Sequence, residues 1–240
     1  MIEQMLMPLS KQLDEGFGAV GRSFQESADY LSQNSDTSGR WMHGHLPINY
    51  LYRHAIELYL KSIIIIAHRR LRITSDDGSY DSIPKIKLRE NFKPIYNVHG
   101  IRPLFDAMKQ IFVFHRDAVS KIAKTDWSAI PKDLDSSIAI IDRVDPASTV
   151  FRYPHSNSPE IDVQKSSFKE VNTDDLLARM HSDGPKQLAL MIVNKNNEVV
   201  ETFALDDKPM PELREALVNA AEILSGAQFG VMMELGKTNA

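Results

Sequence analysis

Three charged side chains stand four residues apart in an otherwise apolar stretch of the sequence: Arg53, Glu57 and Lys61. Residues four apart lie on the same face of a helix, so Glu57 can pair with the cation on either side. Burying an unpaired charge is costly, so this row needs partners. Two interpretations stay open, a salt-bridged row at the edge of the core or the lining of a cleft between helices.

The FRYPHS segment places a guanidinium, a phenol and an imidazole around a proline. Arg152 has the side chain best suited to bidentate contact with a phosphate. His155 can act as a general acid or base near neutral pH. Both are therefore candidate catalytic residues, with Tyr153 as a candidate binding residue. The alternative is a structural turn in which the aromatic rings pack and Arg152 pairs with Glu57 or Asp145.

Several kinds of site are disfavoured by what the sequence lacks. His43 and His45 have a spacing that allows metal binding, but no carboxylate-rich segment stands nearby, so we predict no metal site. No P-loop, dinucleotide-binding, nucleophile-elbow or zincin motif is present, and we predict no cofactor. The chain has no cysteine, which excludes disulfide scaffolds, thiolate metal sites and cysteine nucleophiles. Any catalysis must then rest on Arg, His and carboxylates.

The composition is that of an ordinary globular protein, but its charge is unevenly distributed. The 240 residues are 42% hydrophobic and 25% charged, with a net charge of -4. Residues 53–124 carry 14 basic and 7 acidic residues, whereas residues 156–240 carry 8 and 14. The basic segment can bind a polyanion such as RNA, or it can be a solvated face with an internal acidic partner.

Neither a membrane span nor a secretory signal is predicted. The most apolar run, at 62–67, is flanked by charged residues and is far shorter than the roughly 20 residues that a span needs. The first residues lack the basic and apolar regions of a signal peptide. A cytoplasmic location is the default expectation.

Helical patterns dominate the sequence. Apolar residues three and four apart predict a helix over 2–31, with a break where its central glycines weaken it. The next helix is apolar on most faces, which is typical of the middle of a bundle. Residues 73–98 are predicted to be a loop. The second helix and those that follow are predicted over 48–72, 101–124, 131–144, 173–181 and 211–235.

The pattern changes to β near the C-terminus. Two β-rich runs within 187–205 surround Lys195-Asn196-Asn197, and Asn tolerates the positive φ that hairpin turns need. A single hairpin that can present an edge strand is therefore predicted. The resulting division of the chain is an N-terminal helical segment (1–40), a helical bundle core (41–156), a short helix with the hairpin insertion (157–205) and a closing helix (206–240).

Three motifs in a fixed order resemble the HEPN superfamily (higher eukaryotes and prokaryotes nucleotide-binding). YLYRHAIELYLKSIII at 50–65 is similar to its H-A-x-E-x-x-L-K helix, and HGIRPLFDAM at 99–108 to its H-x-L-x-x-L helix start. IDRVDPASTVFRYPHS at 141–156 resembles the F-R-Y-P ending of one subgroup. The resemblance implies an antiparallel helical bundle that commonly dimerises or binds a protein partner. The candidate binding residues are then Arg53, Glu57, Lys61, His99, Arg102 and Tyr153.

The resemblance also implies a possible activity. Many HEPN proteins are metal-independent ribonucleases of toxin–antitoxin, CRISPR or phage-defence systems, with an R-x4-6-H motif at the start of a late helix. The matching pair here, Arg40 and His45, precedes the second helix, and Trp41 replaces the usual polar residue. Arg152 and His155 are only three positions apart, which is closer than the R-x4-6-H motif requires.

Three hypotheses follow from these observations. The first is a HEPN-like protein that binds RNA or a nucleotide in a defence or stress-response setting. The second is a metal-independent endoribonuclease that uses Arg152 and His155, with Arg40 and His45 as the second choice. The third is a non-catalytic interaction protein that acts through oligomerisation.

Overall fold

Eight α-helices and two small antiparallel sheets make up the described part of the chain, so the protein is mainly helical, as predicted. The structure is a computed structural model that describes residues 7–34, 42–73, 83–88, 90–180 and 188–236. The helices are α1 (Phe17–Gln33), α2 (His45–Arg70), α3 (Ile101–Phe114), α4 (Arg116–Val119), α5 (Lys132–Val144), α6 (Pro159–Lys165), α7 (Thr173–Met180) and α8 (Pro211–Leu235). The strands are β1 (Lys85–Leu88), β2 (Asn91–Pro94), β3 (Phe168–Glu170), β4 (Ala189–Val193) and β5 (Val199–Leu205).

Helix α2 lies at the centre of the fold, which confirms the prediction for this stretch. It packs against α1, α3 and α8, and every residue from 55 to 68 is buried. Helix α5 packs on both α3 and α8. Burial of each isoleucine at 63–66 contributes about 2 kcal/mol of transfer free energy, which makes α2 the main stabilising element.

The predicted break in the first helix is confirmed by a turn before Phe17. A short 3-10 turn over Leu9–Lys11 precedes α1, and Gly16 turns the chain with a φ of 83°. The buried Asp14 carboxylate accepts hydrogen bonds from the backbone N–H groups of Gly16 and Gly18. It thereby satisfies N–H groups that have no partner at a helix start. The predicted residues 2–6 lie outside the described part of the chain.

The prediction of a loop over 73–98 is wrong for its second half. Strands β1 and β2 pair antiparallel with Lys87 opposite Phe92, and the hairpin packs against α3. Lys85-Ile86-Lys87-Leu88 alternates polar and apolar residues, and Ile86 belongs to the core. The two prolines of the segment obscured this alternation, although both flank the paired residues or end the strand. Residues 74–82 and 89 are not described.

The third helix is shorter than predicted. Helix α3 ends at Phe114, the four-residue α4 follows, and the chain then turns back toward α8. Glu234 of α8 accepts hydrogen bonds from the Trp127 indole (2.9 Å) and the Thr125 hydroxyl (3.0 Å). These long-range bonds hold residues 125–127 away from a straight continuation of α3. The predicted helices over 131–144 and 211–235 are confirmed as α5 and α8.

The late β segment is larger than the single hairpin that was predicted. Strands β4 and β5 form the expected hairpin, with Asn197 at a φ of 61° in its turn. Strand β3 adds to the other side of β5, so the sheet order is β3–β5–β4. The short helix α6 was also missed, while α7 was predicted. Three-residue β3 is too short to give a period-2 signal of its own.

One large cluster of buried apolar side chains spans the helical part of the protein. It includes residues from α1, α2, α3, α5 and α8, together with Ile86 of the first hairpin. The sheet of β3, β4 and β5 lies outside it, because neither Ala204 of β5 nor Leu176 of the adjoining helix α7, both buried, is part of this cluster.

Helix α8 is long and apolar enough to cross a membrane by length and composition alone. Core helices of proteins without any membrane span pass the same test, and α8 packs against α1, α2 and α5. Its leucines 213, 217 and 224 are buried in the core cluster. The burial of this apolar stripe within the bundle is sufficient to account for its composition.

Candidate functional site

The row of charges on α2 forms a closed and buried network. Glu57 accepts hydrogen bonds from Lys61 Nζ (2.8 Å) and Arg53 Nη1 (3.2 Å). Arg53 Nε lies 2.9 Å from Asp145 Oδ2, and Arg53 Nη2 donates to the His99 carbonyl at 2.8 Å. All four charged side chains are 4% exposed or less. Of the two interpretations of this row, the structure supports the salt-bridged network.

The charges of this network balance. Burial alone would raise the pKa of Glu57, but the charge and hydrogen bond of Lys61 and the charge of Arg53 outweigh it, so the pKa lies below its usual value. Two cations and two carboxylates then give no net charge. Each charge of the network lies within 3.2 Å of an opposite charge, although the contact between Arg53 Nε and Asp145 Oδ2 lacks hydrogen-bond geometry. The structure therefore supports a structural role for Arg53, Glu57 and Lys61.

His99 is the member of the network that reaches solvent. Its Nδ1 lies 3.1 Å from Glu57 Oε1, while 57% of its side chain is exposed. A carboxylate that contacts one ring nitrogen orients the imidazole and leaves the other nitrogen available to solvent. The exposed ring of His99 can therefore donate a hydrogen bond to a bound anion.

Asp145 connects this network to the FRYPHS segment. Its Oδ1 accepts hydrogen bonds from the backbone N–H groups of Thr149 (2.7 Å) and Val150 (3.1 Å). Phe151 packs in the core cluster, whereas Tyr153 is 52% exposed. Asp145 pairs with Arg53 and not with Arg152, so this part of the structural-turn interpretation is wrong.

Arg152, Tyr153 and His155 lie together on the exposed loop between α5 and α6. The Arg152 guanidinium stands 5.5 Å from the centroid of the Tyr153 ring. Both Arg152 and His155 are exposed, and neither joins the buried network. The structure therefore separates the candidate catalytic residues from Arg53, Glu57 and Lys61.

A buried lysine that sequence reasoning missed holds this loop in place. Lys165 is 3% exposed, and its Nζ donates to the carbonyls of Val150 (3.2 Å) and Tyr153 (3.0 Å). It also pairs with Asp162 at 2.9 Å. The Lys165 hydrogen bond and the backbone N–H of Ser156 lower the pKa of Asp162 to about 2. In the sequence, Lys165 looks like an ordinary surface lysine.

His45, the described member of the second candidate pair, begins α2. Its Nε2–H donates to the Lys165 carbonyl at 2.8 Å. Burial lowers the pKa of His45 despite that hydrogen bond, and the charges of His43 and Arg214 lower it further. Arg40 lies outside the described residues. Among the described residues, no group of three or more His, Asp or Glu side chains could hold a metal ion.

The polar row on α2 also extends one turn beyond the residues that were predicted. Asn49 is 1% exposed, and neither atom of its amide has a hydrogen-bond partner in the part of the chain that the structure describes. An unsatisfied buried amide costs about 1–3 kcal/mol. Asn49 stands four residues before Arg53, so the same spacing could have found it.

A basic groove lies between the first hairpin and α3. It has a volume of about 650 Å³, and its walls include Lys87, Lys93 and Arg102 together with one carboxylate, that of Asp106. Arg102 is 26% exposed and lies at 3.6–3.8 Å from Asp135 and Asp106, too far for strong hydrogen bonds. Its guanidinium donors remain available to an anion in the groove.

The outer face of the same hairpin combines an aromatic ring with lysines. Phe92 is 62% exposed and lies directly opposite Lys87 in the β-ladder. Cross-strand partners share one face of a sheet, and Lys85 lies two residues from Lys87 on that face. These residues were missed because the segment was predicted to be a loop. The alternation in Lys85-Ile86-Lys87-Leu88 is the signal that could have found them.

Comparison of the chain with protein-family models, curated proteins and solved structures finds no match. The HEPN resemblance therefore rests on its three sequence motifs, and its functional consequences remain proposals.

Proposed function

We propose that this protein binds single-stranded RNA through the first hairpin and the adjoining groove. The observation that carries the proposal is the exposed Phe92 ring opposite Lys87, on a hairpin whose inner face borders a basic groove. An aromatic ring that stacks on a base contributes about 1–3 kcal/mol, whatever the base. Lysines beside the ring can neutralise the phosphates on either side of that base.

The surrounding charge favours a polyanion. The hairpin and α3 belong to residues 53–124, which carry 14 basic and 7 acidic residues. Lys93 and Arg102 line the groove, so basic side chains occupy both faces of the hairpin. A polynucleotide that crosses the hairpin would contact both faces, whereas a single nucleotide would use one. The HEPN resemblance implies RNA or a nucleotide as the ligand.

The test is fluorescence anisotropy with a labelled single-stranded RNA of about 12 nucleotides. Wild-type affinity should fall steeply between about 0.05 M and 0.2 M salt, because phosphate contacts release counterions. Phe92→Ala should weaken binding by about 5- to 100-fold, as expected for one lost stacking interaction, and Phe92→Trp should restore it. Lys87→Ala should also reduce the slope of log affinity against log salt by about 0.7.

The chain offers matched controls for both variants. Phe114 is 84% exposed at the other end of α3, and Lys121 is an exposed lysine of the same basic segment. Phe114→Ala and Lys121→Ala should leave the affinity unchanged. The proposal is wrong if wild-type protein fails to bind at low salt, or if Phe92→Ala and Phe114→Ala bind equally well.

One observation favours ribonuclease activity as a second candidate. Arg152 and His155 are both exposed on a loop whose backbone Lys165 holds fixed. In a metal-independent mechanism, the imidazole would take the proton of the 2′-hydroxyl, whose oxygen bonds to phosphorus while the bond from phosphorus to the 5′-oxygen breaks. The guanidinium would stabilise the charge on the scissile phosphate, and the leaving 5′-oxygen would take a proton from the imidazolium or from water. Cleavage should then persist in EDTA and disappear in Arg152→Ala and in His155→Ala. Cleavage unaffected by both changes would eliminate this pair.

A further inference from the structure

Strand β4 is an open edge of the late sheet. In the order β3–β5–β4, it pairs with β5 on one side, and no described strand pairs with its other side. Every second backbone N–H and C=O of such a strand points outward and can bind another strand. Proteins commonly protect an open edge with a charged residue, a proline, a β-bulge or a covering loop. The register shift of this hairpin, between Ile192 and Val193, leaves the extra residue, Val200, in β5 and not in the edge strand.

This edge carries no charge and is apolar on both faces. Residues 188–193 read Leu-Ala-Leu-Met-Ile-Val. Leu190 and Ile192 are 52% and 48% exposed on one face, and Met191 and Val193 are 39% and 51% exposed on the other. A sheet that ends at an ordinary surface has apolar residues on its covered face only.

The apolar surface continues beyond the strand itself. Leu188, Val199 and Val200 are 50%, 41% and 56% exposed, which makes seven large aliphatic side chains on one hairpin. Exposed aliphatic side chains on both faces of one hairpin, next to a free strand edge, mark this hairpin as an interaction surface. A stable interface buries about 800 Å² on each partner, and the strand edge and the side chains of both faces would contribute to it together.

We propose that β4 pairs antiparallel with β4 of a second copy of this chain, forming a dimer with a continuous six-stranded sheet. A two-fold axis brings the same edge of each copy together, and antiparallel is the direction that this symmetry produces. Self-pairing places apolar residues opposite apolar residues on both faces. The strand carries no charge that would select a different partner through opposite charges.

The length of the strand defines the register. Full overlap of two Ala189–Val193 strands places Met191 opposite its own equivalent and Leu190 opposite Ile192 of the other copy. The outward-pointing backbone N–H and C=O groups of each β4 strand are then hydrogen-bonded to the β4 strand of the other copy. This surface is separate from the RNA-binding hairpin, so dimerisation and RNA binding can be tested independently.

The oligomeric state tests the proposal. Light scattering coupled to size-exclusion chromatography should show a dimer at tens of micromolar protein. Ile192→Lys should raise the dissociation constant of the dimer at least tenfold, because a charge would be buried against an apolar neighbour. Val113→Lys places the same charge on another exposed aliphatic residue, 62% exposed in α3, and should leave the dimer intact. Both variants should keep the wild-type circular dichroism spectrum and RNA affinity.

The absence of cysteine permits a second, positional measurement. A single Met191→Cys variant should form a disulfide-linked dimer under mild oxidation, because its equivalent in the second copy lies directly opposite. Val113→Cys should form far less. A monomeric wild-type protein at tens of micromolar would overturn the proposal, as would equal cross-linking at residues 191 and 113.

Discussion

At the scale of single residues, the same types of charged and polar side chain are buried at some positions and exposed at others, and their roles differ accordingly. Arg53, Glu57 and Lys61 are buried and paired in charge with one another and with Asp145, while Arg152 and His155 are exposed. A buried pair adds little net stability when it forms, but removal of one member leaves its partner as an uncompensated charge. Substitutions within this network should therefore lower the free energy of unfolding more than they change the affinity for any ligand.

Glu57→Gln should destabilise the protein by about 3–5 kcal/mol, because Lys61 and Arg53 would lose the carboxylate between them. The control is Glu212→Gln, which breaks an exposed pair with Arg143 and should cost less than about 1 kcal/mol. Urea unfolding followed by circular dichroism measures both changes. Equal transition midpoints for the two variants would contradict the structural role of the network.

The Lys165–Asp162 pair predicts a pH dependence for the loop that carries Arg152 and His155. The folded-state pKa of Asp162, about 2, is below its ordinary value of 3.8. Its contribution to stability is therefore complete above about pH 4 and is lost as the pH falls toward 2.

Asp162→Asn should accordingly lower the melting temperature at pH 7, and the difference from wild type should narrow as the pH falls below about 4. Asp207→Asn, at an exposed aspartate, is the control and should show no such convergence. Thermal unfolding across this pH range provides the measurement. A constant difference between Asp162→Asn and wild type would contradict the assignment.

At the scale of elements, the approach of α1 to α2 and α8 is set by a small buried network. The Asp14 carboxylate accepts from Gly18 N–H (2.7 Å) and from the Ser62 hydroxyl (2.5 Å). Gln228 of α8 donates to the same hydroxyl at 3.1 Å. Three helices meet at these polar groups, and only a glycine at position 18 leaves them room.

Gly18→Ala should destabilise the protein by about 1–3 kcal/mol, because the new methyl would lie 2.8 Å from Asp14 Oδ2 and press on Gln228. Gly226→Ala is the matched control, since a Cβ at this helical position would meet nothing within 4 Å. It should stabilise α8 by about 0.5–1 kcal/mol through helix propensity. Chemical unfolding should therefore show a lower free energy of unfolding for Gly18→Ala and a higher one for Gly226→Ala. A loss of stability in both variants would contradict the packing argument.

At the scale of the whole molecule, helices α1, α2, α3, α5 and α8 share one core, and the sheet of β3, β4 and β5 stands apart from it. Stability in such a molecule is distributed unevenly, because elements with few buried contacts open without global unfolding. The stability of the exposed apolar hairpin of β4 and β5 depends on the hydrogen bonds of its own ladder and on the dimer proposed above.

Hydrogen exchange should reveal this distribution. Amides of α2 between residues 55 and 68 should exchange most slowly, near the rate set by global unfolding, and those of β4 faster. Protection of β4 should increase with protein concentration in the wild type and not in Ile192→Lys. Protection of β4 equal to that of α2 in the monomeric variant would contradict a sheet that is independent of the core.

Patterns along the chain are sufficient to predict the elements whose periodicity is local and long. The isoleucine-rich helix, α5, α8 and the Asn-turned hairpin all follow from periodicity, capping and turn chemistry within one segment. The i, i+4 spacing of Arg53, Glu57 and Lys61 also predicted their pairing, and the central glycines predicted the break before α1. Each of these features depends on neighbours within about a turn.

Which of these residues are buried, and which side chains face them, depends on contacts between distant parts of the chain. Asp145 forms an ion pair with Arg53, which is distant in sequence, and Lys165 donates hydrogen bonds to the loop at 150–153. The hairpin of β1 and β2 is stabilised because Ile86 packs in the core. These contacts join residues distant in the chain, and burial changes the energy of a charge far more than local spacing does. The exposed Phe92 and the open edge of β4 are likewise properties of a surface, which exists only once the chain has folded.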